Sequence, residues 1–501
     1  MKHSSGICGA AALVLSSAAC LMAGSISLPS IFSENMVLQR DVPIPVWGWA
    51  PDGAEITVMC GTQKLTTTAA GGQWRVTLAP LKAGGPYTFA VMGKDISDTV
   101  MCTQVLVGEV WMVCGQSNAM MPLNDAEGVE QAIADRLKYP NLRVVQVGRR
   151  DSHNFETPQT LPYGYWGPLK WESAAYMVPR SSHTDIPGSV SALGYFFGRE
   201  LYQYLKGEVP VGIVEDCAIL PVEAWIDDAT IAASPALLPL RGKGYPNATS
   251  RSFNANIAPL VPFPIRGVIY YQGEMNSGRG MEYRQSLPAL IRSWRKSWAN
   301  EALPFIIVQL PGFVKHMGPE DKRLDMDAAS LAQFQKENAE HGYCGIREAQ
   351  LLTCANLPHT ALAVTIDLGD KFDIHPRRKL PVAQRVFLQA RKLVYGEKDL
   401  VAGGPLPLRF EVHDSHAVVS FDGVGGGLVA QGGELKGFEV SADGKVFVPA
   451  QAQIKGDRVE AWSADVPKPV AVRYAWAGFP EATLFNREGL PATPFRYPVP
   501  E

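Results

Sequence analysis

The stretch Val110–Leu123, "VWMVCGQSNAMMPL", decides how the rest of the chain is read. An apolar run stops at Gly115, and Gln116, Ser117 and Asn118 follow in succession before Met and Leu return. A continuous apolar run fits a strand buried on both faces. Open α/β sheets place their ligand sites just outside the carboxyl ends of such strands. Ser117 therefore falls where a parallel sheet would hold its chemistry.

Working outward, further short apolar strands are expected at 105–113, 142–147, 209–214, 266–271, 305–310 and 361–366. Between them lie helical patterns, among them "SALGYFFGRELYQYLKG", "YRQSLPALIRSWRKSWAN", "DAASLAQFQKENAEHG" and "KLPVAQRVFLQARKLVYG". Alternating strands and helices imply βαβ units and a helix-covered parallel sheet. Before this region, "PIPVWGWA", "EITVMC", "QWRVTLA" and "PYTFAVMG" read as a small antiparallel β-sandwich. After "AGGPLP" the β pattern returns. The expected organisation is a leader over 1–24, a sandwich over 25–103, an α/β domain over 104–398 and a β-rich region over 399–501.

With 501 residues, 46% hydrophobic content and a formal net charge of −3, the chain is sized for two or three folded domains and carries no basic excess for nucleic acid. Lys2 and His3 precede a run of apolar and small residues from Ile7 to Ala23, the layout of a secretory signal. The rival readings are an uncleaved membrane anchor and lipid attachment at Cys20. Export is the expectation, periplasmic or extracellular, with no stable membrane insertion. Cys8 and Cys20 lie in the leader, and the other cysteines lack C-x-x-C spacing, which argues against a zinc ribbon or a thioredoxin-like site. Asn247-Ala-Thr249 forms a glycosylation sequon.

Three segments put polar groups at strand ends: Gln116, Ser117 and Asn118; Gln272, Glu274 and Asn276; and Asp367, Asp370, Asp373 and His375. If the strands are parallel, all three meet on one rim. A serine hydroxyl needs a base, a histidine can serve near its unperturbed pKa of about 6.5, and a carboxylate must orient the imidazole. Ser117, His375 and Asp373 offer that set, and the Ser117 N–H with the Asn276 amide offers donors to a developing oxyanion. The alternative is that Ser117 and Asn118 cap a helix, while the aspartates form turns.

These residues, with "LPSIFSENMVLQRDVPIPVWGWA", "VGEVWMVCGQSN", "FGRELY", "IRGVIYYQGEMN", "REAQL", "AVTIDLGDKFDIHP" and "NREGLPATPFR", resemble the sialate O-acetylesterase family of the SGNH hydrolase superfamily, from about Leu28 to about Arg496. The resemblance implies a flavodoxin-like α/β core with a parallel sheet and accessory β-sandwich modules at both ends. It implies Ser117 as nucleophile, His375 as base and Asn276 as oxyanion donor. Gln116, Gln272 and Glu274 are candidates to bind substrate. No metal or organic cofactor is implied, and the partner is an acetylated sugar or sialoglycan, most of all 9-O-acetylated sialic acid. Xylan is the rival substrate, and a weakly active or inactive glycan-binding homologue is the rival role.

The chain also departs from the family. The superfamily commonly carries its acid three residues before the histidine, where this chain has Phe372. Asp373 is the first choice, with Asp370 and Glu274 behind it. Ala119 and Met120 replace the family's Met-Glu after G-Q-S-N. In "EDCAILPVEAW", Ala218, Ile219 and Leu220 stand where the family has glycine. If that glycine needs φ > 0, Ile219 resists it and an oxyanion donor is lost.

Overall fold

The computed structural model describes residues 25–94, 96–148, 155, 157–160, 169–173, 190–241, 249–316 and 328–500. The expected leader and Asn247 of the sequon lie outside the described residues. Six parallel strands form the central sheet: β1 (Thr99–Gly115), β2 (Leu142–Val147), β3 (Val211–Cys217), β4 (Gly267–Tyr271), β5 (Phe305–Val308) and β6 (Thr360–Ala363). Their order across the sheet is β2-β3-β1-β4-β5-β6. β1 is buried without interruption from Val105 to Gly115, as a strand covered on both faces requires.

β1 also joins two modules. Its first half pairs antiparallel with Gly84–Gly93 and parallel with Val37–Gln39, so the N-terminal strands and the α/β region share one 11-stranded sheet. The composition shift near residue 103 marks no linker. It coincides with a register shift against the Gly84–Gly93 strand, and Gln104 has φ +53°. A bulge there re-aims the strand without ending it. One hydrophobic core runs from Ile26 to Ala390, and a second one fills the C-terminal β sheets from Ala417 to Phe495.

Among the described residues there are five long helices: α1 (Ala192–Tyr204), α2 (Gly280–Ser297), α3 (Ala328–Ala339), α4 (Tyr343–Asn356) and α5 (Lys379–Leu393). α1 packs on α5 and α2 packs on α4. α4 escapes a reading by hydrophobic period because its buried side chains include Arg347, Glu348 and Gln350. Those polar groups staple modules together. Arg347 donates to the carbonyls of Leu310, Pro311, Ala477 and Gly478, and Glu348 accepts from Arg496 at 2.8 and 2.9 Å and from Arg284. "REAQL" and "NREGLPATPFR" therefore meet in space, tying the C-terminal β region to the α/β core.

Among the described residues, no helix is long and apolar enough to cross a membrane.

Candidate active site

The parallel register puts the carboxyl ends of β1, β3 and β4 level, with Gly115 opposite both Cys217 and Tyr271. Gly115 has φ +150°, and a Cβ there would lie 2.0 Å from the Tyr271 carbonyl oxygen. Only glycine lets the chain leave the strand so close to β4. The Gln116 N–H then reaches that same carbonyl at 3.2 Å, and a short helix, Ser117–Met120, begins. Gln116 occupies the N-cap without a side-chain capping bond, so Ser117 is the first helical residue and its hydroxyl is not spent on a cap. Ser191, which caps α1, fixes this turn by donating from Oγ to the Ala119 carbonyl at 2.6 Å.

A cleft of about 460 Å³ opens over Ser117, and its wall includes Met120, Ile219, His316, Asp373, His375 and Arg377. The strand ends thus bring Ser117, Asp373 and His375 to one cavity. The Asp373 carboxylate accepts the backbone N–H of His375 at 2.9 Å and lies 3.9 Å from His316 Nδ1. Asp370 accepts the N–H groups of Phe372 and Asp373 at 2.8 and 3.0 Å, a turn-forming role. Asp367 pairs with Arg385 at 2.5 and 2.7 Å. Among the described residues no hydrogen bond joins Ser117 Oγ to the His375 ring. Burial holds the His375 imidazole below its usual pKa, aided by the Lys379 and His316 charges and opposed by Asp373.

Four other candidates lie beneath the cleft and not in its wall. Asn276 is fully buried and its amide is engaged: Oδ1 accepts from the Val222 N–H at 2.9 Å and from Gln272 at 2.8 Å, while Nδ2 donates to Glu223 at 2.9 Å. Gln272 also donates to Gln116 at 3.2 Å, and Gln116 accepts the Met275 N–H at 3.2 Å. Glu274 accepts from Asn118 at 2.7 Å. All four side chains are buried, and none of them is among the residues that line the cleft. They form the buried network that holds β1, β4 and the 217–222 segment in register.

The expectation that Ile219 obstructs a left-handed backbone also needs correcting, because no residue from Cys217 to Leu220 has positive φ. The Ala218 N–H continues the β3–β1 pairing to the Gly115 carbonyl at 2.9 Å, and the Leu220 N–H closes a three-residue turn on the Ala218 carbonyl at 2.9 Å. Ile219 sits at the centre of that turn, 52% exposed, with its side chain in the cleft wall.

Residues 107–373 match the family model described as carbohydrate esterase, sialic acid-specific acetylesterase. The chain belongs to this family. It is 28% identical to human sialate O-acetylesterase over 93% of this chain and 91% of that one, and 27% identical to the mouse protein of the same name over 93% of each. A crystal structure of a carbohydrate acetylesterase from Xanthomonas citri superposes with a TM-score of 0.79 at 35% identity, covering 95% of this chain and all of that one. This acetylesterase is accordingly a carboxylic-ester hydrolase acting on acetylated carbohydrate, on a mixed α/β scaffold with a largely parallel central sheet and separate antiparallel sheets.

Proposed function

We propose that the chain is an exported sialate O-acetylesterase that works through Ser117, His375 and Asp373. The observation that carries this reading is the meeting of those three residues in one cleft at the carboxyl ends of parallel strands. Setting aside the edge strand β2, the order β3-β1-β4-β5-β6 is the 2-1-3-4-5 order of a flavodoxin-like core, the basis for reading it as an SGNH hydrolase. β1 has β3 on one side and β4 on the other, so Ser117 stands at the switch point.

In the reaction, Ser117 Oγ bonds to the acetyl carbon while His375 takes its proton. The carbonyl oxygen becomes negative and is met by backbone N–H groups, those of Ser117 and Ile219, neither of which has an acceptor among the described residues. As the tetrahedral intermediate collapses, the carbon–oxygen bond to the sugar breaks and His375 gives its proton to the sugar oxygen. Water then adds to the acetyl-enzyme, His375 takes and returns a proton, and acetate leaves. Asp373 supports the imidazolium that forms at each step.

The sugar is read from charge. Arg377 is held at Nε by the Asp125 carbonyl at 2.7 Å, and this guanidinium at the cleft suits the carboxylate of a sialic acid. The second reading is another acetylated glycan such as xylan, and what leaves room for it is that the Xanthomonas relative is named only as a carbohydrate acetylesterase. Comparing kcat/KM on 9-O-acetylated sialic acid and on acetylated xylan tests the choice. Preference for the sialate is expected, and preference for xylan sinks the sialate reading.

Ile219 is expected to set acyl or sugar preference. Ile219→Gly should shift the kcat/KM ratio between small and bulky esters by about tenfold or more, the scale of a pocket reshaped by a few methylenes. It should leave kcat on acetyl esters within a few-fold. An equal rise in kcat on every ester would show instead that the side chain hinders an oxyanion donor.

Export is proposed on the leader alone, and it places the mature N-terminus between about residues 20 and 26. N-terminal sequencing from the native host checks this, and a mature chain beginning at Met1 refutes it.

A further inference from the structure

Below the cleft, one buried cation has contacts that lead to both loops of the site. Lys379 is the first residue of α5, where the helix dipole disfavours positive charge, and it is fully buried although the neighbouring Arg377 and Arg378 are exposed. Its Nζ donates to Asn118 Oδ1 at 2.6 Å and lies 5.5 Å from the centre of the Tyr271 ring. Asn118 Nδ2 donates to Glu274 Oε1 at 2.7 Å and to the Ile374 carbonyl at 2.9 Å. Asn118 follows Ser117 in the chain, and Ile374 precedes His375. One amide therefore sets the distance between the serine turn and the histidine loop.

We propose that Lys379 is a positioning residue for the esterase reaction: it holds Asn118 in the rotamer that locks the two loops together, and it places a positive charge beneath the histidine. The inference rests on the assignment of Ser117 and His375 given above. Burying a lysine and a carboxylate is costly, and apolar side chains would fill such a site more cheaply if packing were the only demand. An asparagine between the two charges has all of its polar groups satisfied by them and by Ile374, leaving it no alternative rotamer of equal energy.

The groups facing Lys379 are Asn118, Glu274, Asp373, His375 and the Tyr271 ring. Burial pulls the ammonium down to about 7, while the Glu274 and Asp373 carboxylates favour its charged form. Burial likewise raises Glu274, with Asn118 and Lys379 opposing. Lys379 in turn disfavours the imidazolium of His375. Removing that charge relieves a repulsion, so the pKa of the base rises and the acid limb of kcat/KM moves to higher pH.

The test is steady-state kinetics from pH 5 to 9 on the whole protein as Lys379→Met, as Lys379→Met with Glu274→Gln, and as Ser117→Ala and His375→Ala controls. The single variant should lose about 10- to 100-fold in kcat with KM within about threefold. Its acid limb should move up by about half a pH unit or more. The double variant discharges the buried pair together, so it should fold even where the single one does not, and its kcat should remain low. A folded Lys379→Met or double variant with wild-type kcat, or a folded Lys379→Met protein whose activity falls with no movement of the acid limb, overturns the inference. Retained turnover in the Ser117→Ala or His375→Ala control overturns the assignment of nucleophile and base instead.

Discussion

Ser117→Ala is expected to remove esterase turnover by about 10⁴-fold or more while leaving thermal unfolding unchanged. The hydroxyl caps no helix, and its side chain belongs to the cleft and not to the core, so little stability is at stake. His375→Ala should match it, because a serine that cannot pass its proton on is a weak nucleophile. In the wild type the acid limb of kcat/KM should lie below the ordinary histidine value of about 6.5, since burial disfavours the imidazolium. The sign follows: activity rises as pH passes upward through that limb and the base is freed. The acid is separable by a pair of substitutions. Asp373→Asn should cost about 10²-fold or more, while Asp370→Asn keeps an oxygen that can accept the Phe372 and Asp373 N–H groups and should cost only a few-fold. The reverse ranking would move the role to Asp370, and near-normal turnover in folded Ser117→Ala would remove the triad altogether.

The strands of the central sheet were legible because each is a short apolar run bounded by turn residues, and a strand end locates a residue to within a position or two. Ser117, Asp373 and His375 could be found this way. Which side chains at a strand end face the cleft and which turn down is not a property of the strand end. Gln272 and Asn276 are four residues apart, and a hydrogen bond between them folds both inward. No spacing argument predicts that bond. The continuity of the strand through the join between the first module and the α/β core is illegible for a related reason: a bulge changes the direction of a strand without the glycine or proline that marks a linker. Lys379 was missed because "RRK" reads as a solvated basic run. Its one signal in the sequence is a lysine opening a helix, where the dipole works against it.

The largest loss of stability is expected from Arg347→Met. This guanidinium is fully buried, and its nitrogens donate to four carbonyls: Leu310 at 2.9 Å, Pro311 at 2.5 Å, Ala477 at 2.7 Å and Gly478 at 2.8 Å. Methionine fills much of the same volume but donates nothing, so buried acceptors from two modules lose their partner together. Each unsatisfied group costs about 1–3 kcal/mol, and partial relaxation should leave a net loss of about 3–5 kcal/mol. The damage should be directional. Ala477 and Gly478 belong to the C-terminal β region, whereas Leu310 and Pro311 begin the loop that runs to His316 in the cleft wall. Losing Arg347 should therefore loosen the docking of the C-terminal region before it disturbs the parallel sheet. Limited proteolysis should show faster cleavage near "AGGPLP", at 402–407, together with an earlier unfolding transition. Arg496→Met should lose less, because the Arg496 side chain is 27% exposed and shares Glu348 with Arg284. An Arg347→Met protein with the wild-type melting curve and the wild-type cleavage pattern would show that the four carbonyls find other donors, and that apolar packing alone holds the C-terminal region in place.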